Sequence, residues 1–127
     1  MEYVARKLSS YTTITIEAYV AAKDRDGKLL DSTVYAAAVA SVERAMCELT
    51  GGACTSYGAQ GVWRGLHEPV RVIRGSVPAA RLHDALDSMA AALGAVGAAT
   101  NQDVSGFTVD GEWYAAVAAP HELALVR

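Results

Sequence analysis

The stretch from Gly58 to Gly65 contains the residues whose types and spacing are best suited to holding a ligand. Three glycines surround Trp63 and Arg64, and glycine in a strand loses entropy without contributing packing. Such a run indicates either a backbone that closely approaches a ligand or a bulged hairpin. In the first case Trp63 is a stacking wall and Arg64 binds an anion. In the second case Trp63 covers an edge of the core.

Acid–base chemistry could come from His67 and Glu68, which follow directly, because imidazole titrates near neutral pH. Neighbouring strand residues point to opposite sides of a sheet, so these two side chains cannot both face one ligand. Tyr19, on an earlier strand, and Arg71, on a later one, are further candidates. The predicted ligand-binding set is Trp63, Arg64, Arg71, Tyr19 and Glu68, and no catalytic residue is assigned.

Several other chemistries lack their motifs. The run Gly51-Gly52-Ala53-Cys54-Thr55 follows a predicted helix end, where the dipole repels anions, and it has no Lys-Ser/Thr, so it does not predict a phosphate loop. No His-x-His or His-Glu-x-x-His spacing is present, so neither a metal site nor a cofactor is expected. Cys47 and Cys54 are interpreted as two ordinary, partly buried thiols.

Composition and charge restrict the class of partner. The 127 residues include 11 Lys+Arg and 14 Asp+Glu, for a net charge of -3. A nucleic-acid binder needs a basic surface, so nucleic acid is not expected as a partner. The most apolar stretch, Met89–Ala99, is too short and too rich in Ala and Gly to span a membrane. No apolar signal sequence follows Met1, and a cytoplasmic protein is expected.

The apolar periodicity predicts strands and helices in the order β-α-β-β-α-β, with one more strand at the end. Alternation of Ile14, Ile16 and Ala18 against polar residues predicts the first strand. The glycine pair Gly51-Gly52 ends the first helix. The predicted strands are Thr12–Ala21, Ala53–Arg64, Val70–Arg74, Val104–Val109 and Glu112–Ala118, with a reversal at Gly65–Pro69, a first helix capped by Asp31 or Ser32, and a second helix opened by Ser76 and Pro78.

This order predicts a single α+β domain of ferredoxin-like βαββαβ topology with an additional C-terminal strand. Two helices with one apolar stripe each cover only one face of an antiparallel sheet. The opposite face would carry Tyr19, together with either Arg71 or Ile73 from a neighbouring strand. Residues 1–11 are expected to form an arm and residues 119–127 a tail. The Asn101-Gln102-Asp103 cluster is expected to end the second helix or to bind a polar ligand.

Three short motifs resemble a pattern in small uncharacterised prokaryotic and phage proteins. They are the run from Gly51 to Thr55, the Gly58…Gly61-Val62-Trp63 segment, and the strand that begins near Glu68. The Asn101-Gln102 step also matches this pattern, whereas Cys54 before Thr55 departs from it. The resemblance implies a ferredoxin-like fold and carries no established activity, so it assigns no catalytic residue.

We therefore expect a non-enzymatic binding protein, a homo-oligomer that holds a small polar or anionic ligand or a protein partner. A role as a phage or mobile-element accessory, sequestering a host signal or blocking a host protein, follows from the resemblance. The alternative is a small dimeric α+β-barrel enzyme that uses His67, Glu68 or Tyr19 as an acid or base. A purely structural subunit is the third interpretation.

Overall fold

The computed structural model describes residues 13–63, 65–102 and 104–117. The elements are β1 (Thr13–Ala21), α1 (Ser32–Thr50), β2 (Thr55–Trp63), β3 (Leu66–Pro78), a 3₁₀ turn (Ala79–Arg81), α2 (Leu82–Thr100), β4 (Val104–Val109) and β5 (Glu112–Val117). The predicted arm (1–11) and tail (119–127) lie outside the described residues. Within the described residues, neither helix is long and apolar enough to cross a membrane.

The five strands form one sheet in the order β2-β3-β1-β4-β5, and all neighbouring pairs are antiparallel. Strand β1 lies in the centre because each helix connects two strands across an intervening one. The predicted ferredoxin-like α+β fold with an additional strand is therefore confirmed. The sheet also keeps the alternation of β1, in which Ile14, Ile16, Ala18 and Val20 are buried.

Both helices pack on the same face of the sheet, as predicted. Helix α1 is capped at its N-terminus by Asp31, whose carboxylate accepts hydrogen bonds from the amides of Thr33 and Val34, and at its C-terminus by Gly51 in the left-handed conformation. The helices and strands share one apolar core. Its largest fully buried side chains are Phe107, Ile16, Met46, Ile73, Met89, Leu93, Val20, Val42 and Val77.

Strand β3 differs from its predicted bounds at both ends. It begins at Leu66, which pairs with Trp63, the last residue of β2. The reversal predicted at Gly65–Pro69 is therefore wrong. The carbonyl of Pro69 accepts a hydrogen bond from the Ala22 amide, just beyond the end of β1, at 3.0 Å. In a strand the amide and carbonyl of one residue point to the same side, so the hydrogen bond that proline cannot make is not one with β2. Pro69 therefore fits inside β3.

The second helix also starts later than predicted. Ser76 and Pro78 belong to β3, where they pair with Thr15 and Thr13 of β1. Val77 between them is buried opposite Ile14. Burial of Val77 keeps the strand extended past the point where proline would otherwise open a helix, and α2 begins only at Leu82.

Candidate functional site

The face of the sheet that the helices leave uncovered carries an aromatic row. Tyr19 of β1 pairs with Val72 of β3, and Val72 pairs with Tyr57 of β2. Cross-strand partners point to the same side of a sheet, so these three side chains share one face. On the other side of β1, Thr108 of β4 pairs with Trp113 of β5. We refer to this surface as the open face.

Tyr19 and Trp113 stack across β4, with ring centroids 5.1 Å apart and an interplanar angle of 29°. Gly106 on the strand between them allows this contact, because a Cβ there would lie 3.1 Å from Cζ3 of Trp113. Trp113 remains 56% exposed, so one side of its indole is available to a planar ligand. Such an aromatic platform binds flat, apolar groups by stacking.

The phenol of Tyr19 is a hydrogen-bond donor at neutral pH. Partial burial raises its pKa above the ordinary value, and the nearby Glu17 carboxylate raises it further. The Thr108 hydroxyl, which lies beside it, offsets part of this effect. Because deprotonation is disfavoured, Tyr19 can orient a ligand but cannot serve as a general base near neutral pH.

A broad cavity of about 920 Å³ lies beside the aromatic pair, towards the upper end of the usual range for ligand sites. Its floor is apolar and comes from β1, β2 and β3. Charged and amide side chains from the loop after β1, from β3 and from the segment after α2 surround it. The lining residues are Tyr19, Ala21, Lys23, Asp24, Arg25, Ala59, Gln60, Gly61, Val62, Glu68, Val70, Val72, Gln102, Ser105, Gly106 and Trp113.

The loop after β1 is organised by Asp24. Its carboxylate accepts hydrogen bonds from the amides of Asp26 and Lys28 at 2.9 and 3.0 Å, and Gly27, with φ of 78°, donates to the Asp24 carbonyl at 3.0 Å. The Lys28 amide is the main reason that the pKa of Asp24 is lowered. The cavity therefore keeps a fixed negative charge at neutral pH.

Asn101 and Gln102 hold this loop over the end of the sheet. The buried amide of Gln102 donates to the carbonyls of Ala21 and Lys23 at 3.0 and 2.9 Å. Asn101 accepts from Nε of Arg25 at 2.7 Å, and its carbonyl accepts from the Arg25 amide at 2.9 Å. Asn101 thus ends α2, as expected, and together with Gln102 it also positions the charged rim of the cavity.

Replacing Gln102 by leucine is expected to lower the free energy of unfolding by about 1.5 kcal/mol. The change removes both donors and leaves the carbonyls of Ala21 and Lys23 without their partners in a buried setting. Urea denaturation followed by circular dichroism measures the effect. Gln60→Leu is the matched control, because Gln60 is an exposed glutamine at the same cavity. Equal stability of the two variants would contradict the positioning role.

The structure brings two of the five predicted ligand-binding residues together. Tyr19 and Glu68 both line the cavity. Arg71 lies on the opposite side of the sheet, because it pairs with Val20 on the helix-covered face. There its guanidinium donates to the hydroxyl and carbonyl oxygens of Ser56 at 2.9 and 3.3 Å. Arg71 therefore ties β2 to β3 and does not line the cavity.

The remaining predicted residues lie near the β2–β3 reversal. Trp63 is the last residue of β2, and Arg64 falls outside the described residues. His67 pairs with Val62 and, as expected from alternation, points away from the side of Glu68. His67 does not line the cavity.

Sequence reasoning missed the charged rim formed by Lys23, Asp24 and Arg25, none of which is in the predicted ligand-binding set. Trp113 is also absent from the predicted ligand-binding set, whereas the neighbouring Tyr114 is buried against the helices. The sequence signal that could have identified this rim is the dense run of charged residues directly after β1, the strand whose buried and open faces are predicted by its alternation. Among the described residues, no group of three or more His, Cys, Asp or Glu side chains is arranged to hold a metal ion.

Two solved structures share this fold along nearly the whole chain. A phage SAM lyase in complex with S-methyl-5'-thioadenosine superposes with a TM-score of 0.59 and 13% sequence identity, covering 94% of this chain and 100% of that one. A phage SAM lyase in the apo state gives a TM-score of 0.52 at the same identity and coverage. No protein-family model matches the chain, and neither does any curated protein sequence.

These comparisons correct the functional expectation. The prediction of a non-enzymatic binding protein is wrong, because the proteins that share the fold are enzymes. The resemblance to phage proteins is supported at the level of fold, whereas the short sequence pattern finds no matching family.

Proposed function

We propose that this chain is an enzyme that cleaves S-adenosylmethionine and releases S-methyl-5'-thioadenosine. The observation that carries the proposal is the cavity on the open face. It places an aromatic stack, an apolar floor and charges of both signs together, in a chain that shares its fold with a phage SAM lyase. S-adenosylmethionine offers the matching groups: a flat adenine, a sulfonium cation, and an amino acid end with both charges.

The rim and the aromatic platform suit different ends of this substrate. Adenine stacks on the exposed indole of Trp113, and the sulfonium lies against the aromatic faces, where a cation is attracted by the ring quadrupole. The α-carboxylate pairs with Lys23, and the α-ammonium pairs with Glu68. Tyr19 donates a hydrogen bond from its protonated phenol.

Release of S-methyl-5'-thioadenosine fixes which bond breaks. The bond between sulfur and Cγ of the methionine moiety is cleaved, and its electron pair stays on sulfur, which becomes a neutral thioether. A lyase adds no water, so the four-carbon fragment must complete itself. Either its carboxylate oxygen attacks Cγ and closes a lactone, or a base removes a β-proton and leaves an alkene.

The cavity favours lactone closure. Proton removal requires a base. Tyr19 stays protonated, Oδ1 of Asp24 accepts two backbone amides, and Glu68 is engaged by the α-ammonium of the substrate in the arrangement proposed above. Closure requires only that the carboxylate be held behind Cγ. Lactone closure also converts the carboxylate into a neutral ester and the sulfonium into a neutral thioether, so both charges decrease in the transition state. The apolar floor, formed in part by Ala21, Val70 and Val72, assists such a step by excluding water.

Glu68→Gln distinguishes the two routes. With closure, loss of the carboxylate weakens substrate binding, so KM rises about tenfold while kcat stays within about threefold of the original value. The measurement is steady-state kinetics together with mass spectrometry of the four-carbon product. A fall in kcat of more than about 100-fold, with an alkene as the product, would instead make Glu68 the base for elimination.

The direct test is to incubate the purified chain with S-adenosylmethionine and to quantify S-methyl-5'-thioadenosine by liquid chromatography. Turnover should saturate with substrate and should vanish when the chain is heat-denatured. Absence of turnover, combined with no measurable binding of S-methyl-5'-thioadenosine by calorimetry, would overturn the proposal. The substrate is an intracellular metabolite, which fits the cytoplasmic location expected from the sequence.

We also propose that the enzyme is a homo-oligomer. Val62 and Leu66, at the end of the β2–β3 hairpin, are 61% and 72% exposed. A second copy would remove such a surface from water. Native mass spectrometry should show more than one copy per particle, and a strict monomer would contradict this part of the proposal.

A further inference from the structure

The two cysteines of the chain meet at the junction between α1 and β2. Cys47 lies in the last turn of α1, and Cys54 directly precedes β2. Their sulfur atoms are 3.3 Å apart, and both are present as free thiols. The sequence contains no other cysteine. Separate packing roles for Cys47 and Cys54 do not account for this contact between their sulfur atoms.

The backbone between the two cysteines brings the sulfurs together. Gly51 adopts φ of 82° and Gly52 φ of 125°, which turns the chain sharply after the helix. The amides of Gly51 and Gly52 both donate to the Cys47 carbonyl, so Cys47 anchors this turn. A disulfide requires an S–S distance of about 2.05 Å, so the two sulfurs must approach each other by about 1.3 Å for the bond to form.

One of the two sulfurs borders a small surface depression. The depression has a volume of about 240 Å³ and is lined by Cys54 and Arg74, together with the neighbouring residues Ala53, Thr55, Gly75 and Ser76. Arg74 is exposed and cationic. A small thiol reagent can therefore approach Cys54 through this depression, and the positive charge of Arg74, on the open face of the neighbouring strand, attracts an anionic reagent at longer range.

We propose that Cys47 and Cys54 form a redox-active dithiol that closes into an intramolecular disulfide on reaction with a low-molecular-weight disulfide such as glutathione disulfide. One cysteine thiolate attacks a glutathione sulfur, the glutathione S–S bond breaks, and one glutathione leaves with the electron pair. The second cysteine loses its proton to solvent, attacks the first cysteine's sulfur and expels the other glutathione. The chain is oxidised by two electrons, and two reduced glutathiones form.

The proposal implies a pH-dependent rate. Burial and the neighbouring sulfur raise the pKa of Cys54 to about 11. Only the thiolate attacks, so the rate of the step that needs Cys54 rises about tenfold per pH unit below that pKa. The thiolate of Cys54 faces the sulfur of Cys47 and the carboxylate of Glu43 of α1, whereas Arg74 of β3 pairs with Glu17 and points to the open face. Closure is therefore slow at neutral pH and faster under mildly alkaline conditions.

The test uses the folded, fully reduced chain and glutathione disulfide at pH 8, followed by a maleimide quench and intact mass spectrometry. We expect a mass about 2 Da below that of the reduced chain, with no maleimide attached. The closed form should also melt about 5 °C higher than the reduced form, because the crosslink restricts the unfolded chain. The disulfide can form whether or not the chain cleaves S-adenosylmethionine, so enzymatic activity is not measured in this test.

Cys47→Ser and Cys54→Ser are the matched controls. Each retains one thiol, so each should take up a single glutathione and show no loss of mass. Three results would overturn the proposal. The first is a glutathione that stays attached to the unsubstituted chain, and the second is a disulfide between two chains. The third is a folded chain that still binds two maleimides after exposure to glutathione disulfide, under conditions in which the urea-unfolded chain is oxidised. Arg74→Gln tests the approach route and should slow closure about threefold.

Discussion

Replacing Trp113 by alanine is expected to lower kcat/KM for S-adenosylmethionine about 30-fold. Stacking of a base on an aromatic side chain contributes about 2 kcal/mol, which corresponds to this factor. The variant should fold normally, because the ring is 56% exposed and makes its main contacts with Tyr19 and Gly106 on the surface of the sheet. Steady-state kinetics and calorimetry with S-methyl-5'-thioadenosine measure the loss.

Two further variants make this result specific. Tyr57→Ala removes an exposed aromatic ring from the same face, but Tyr57 does not line the cavity, so kcat/KM should stay within about twofold. Trp113→Phe keeps a flat ring over Gly106 and should lose less than about fivefold. Equal losses for Trp113→Ala and Tyr57→Ala would indicate that the whole face, rather than the aromatic stack at the cavity, determines activity.

The fold could be predicted from the sequence because its elements have strong local signals. Alternation of large aliphatic side chains fixed β1, and a glycine pair with a capping Asp31 fixed α1. The β2–β3 reversal was misplaced because Gly65 and Pro69 are both turn formers, and local propensity cannot choose between them. Pairing with β1 and β2 decides the choice, and this pairing joins residues far apart in the sequence.

The candidate site was predicted only in part, because its membership depends on register. Shifting a strand by one residue moves every side chain to the other face, which is why Arg71 was placed with Tyr19 although it faces the helices. The charged loop that begins at Lys23 is held beside the cavity by a hydrogen bond from Gln102, which follows α2 and is far from the loop in the sequence. No pattern in the sequence links positions that are so far apart.

Gly75→Ala is expected to lower the free energy of unfolding by about 3 kcal/mol. Gly75 is buried where β3 passes under α1, and a Cβ there would lie 2.5 Å from Cγ2 of Thr50 and 2.9 Å from Sδ of Met46. Met46 can move its flexible end. Thr50 cannot easily do so, because its hydroxyl donates to the carbonyl of Ala53 and accepts from the amide of the same residue just beyond the helix. The helix must therefore shift away from the sheet.

A double-mutant cycle in urea identifies the cause of this loss. Thr50→Ser removes the methyl group that clashes and keeps the hydroxyl, so the double variant Thr50→Ser/Gly75→Ala should recover at least about 1 kcal/mol relative to additivity. Gly58→Ala is the matched control in β2, where the nearest atom to an added Cβ is the Arg71 guanidinium at 3.9 Å. That variant should be neutral or stabilised by about 0.5 kcal/mol. Strictly additive effects would show that the contact between Gly75 and Thr50 does not set the distance between α1 and the sheet.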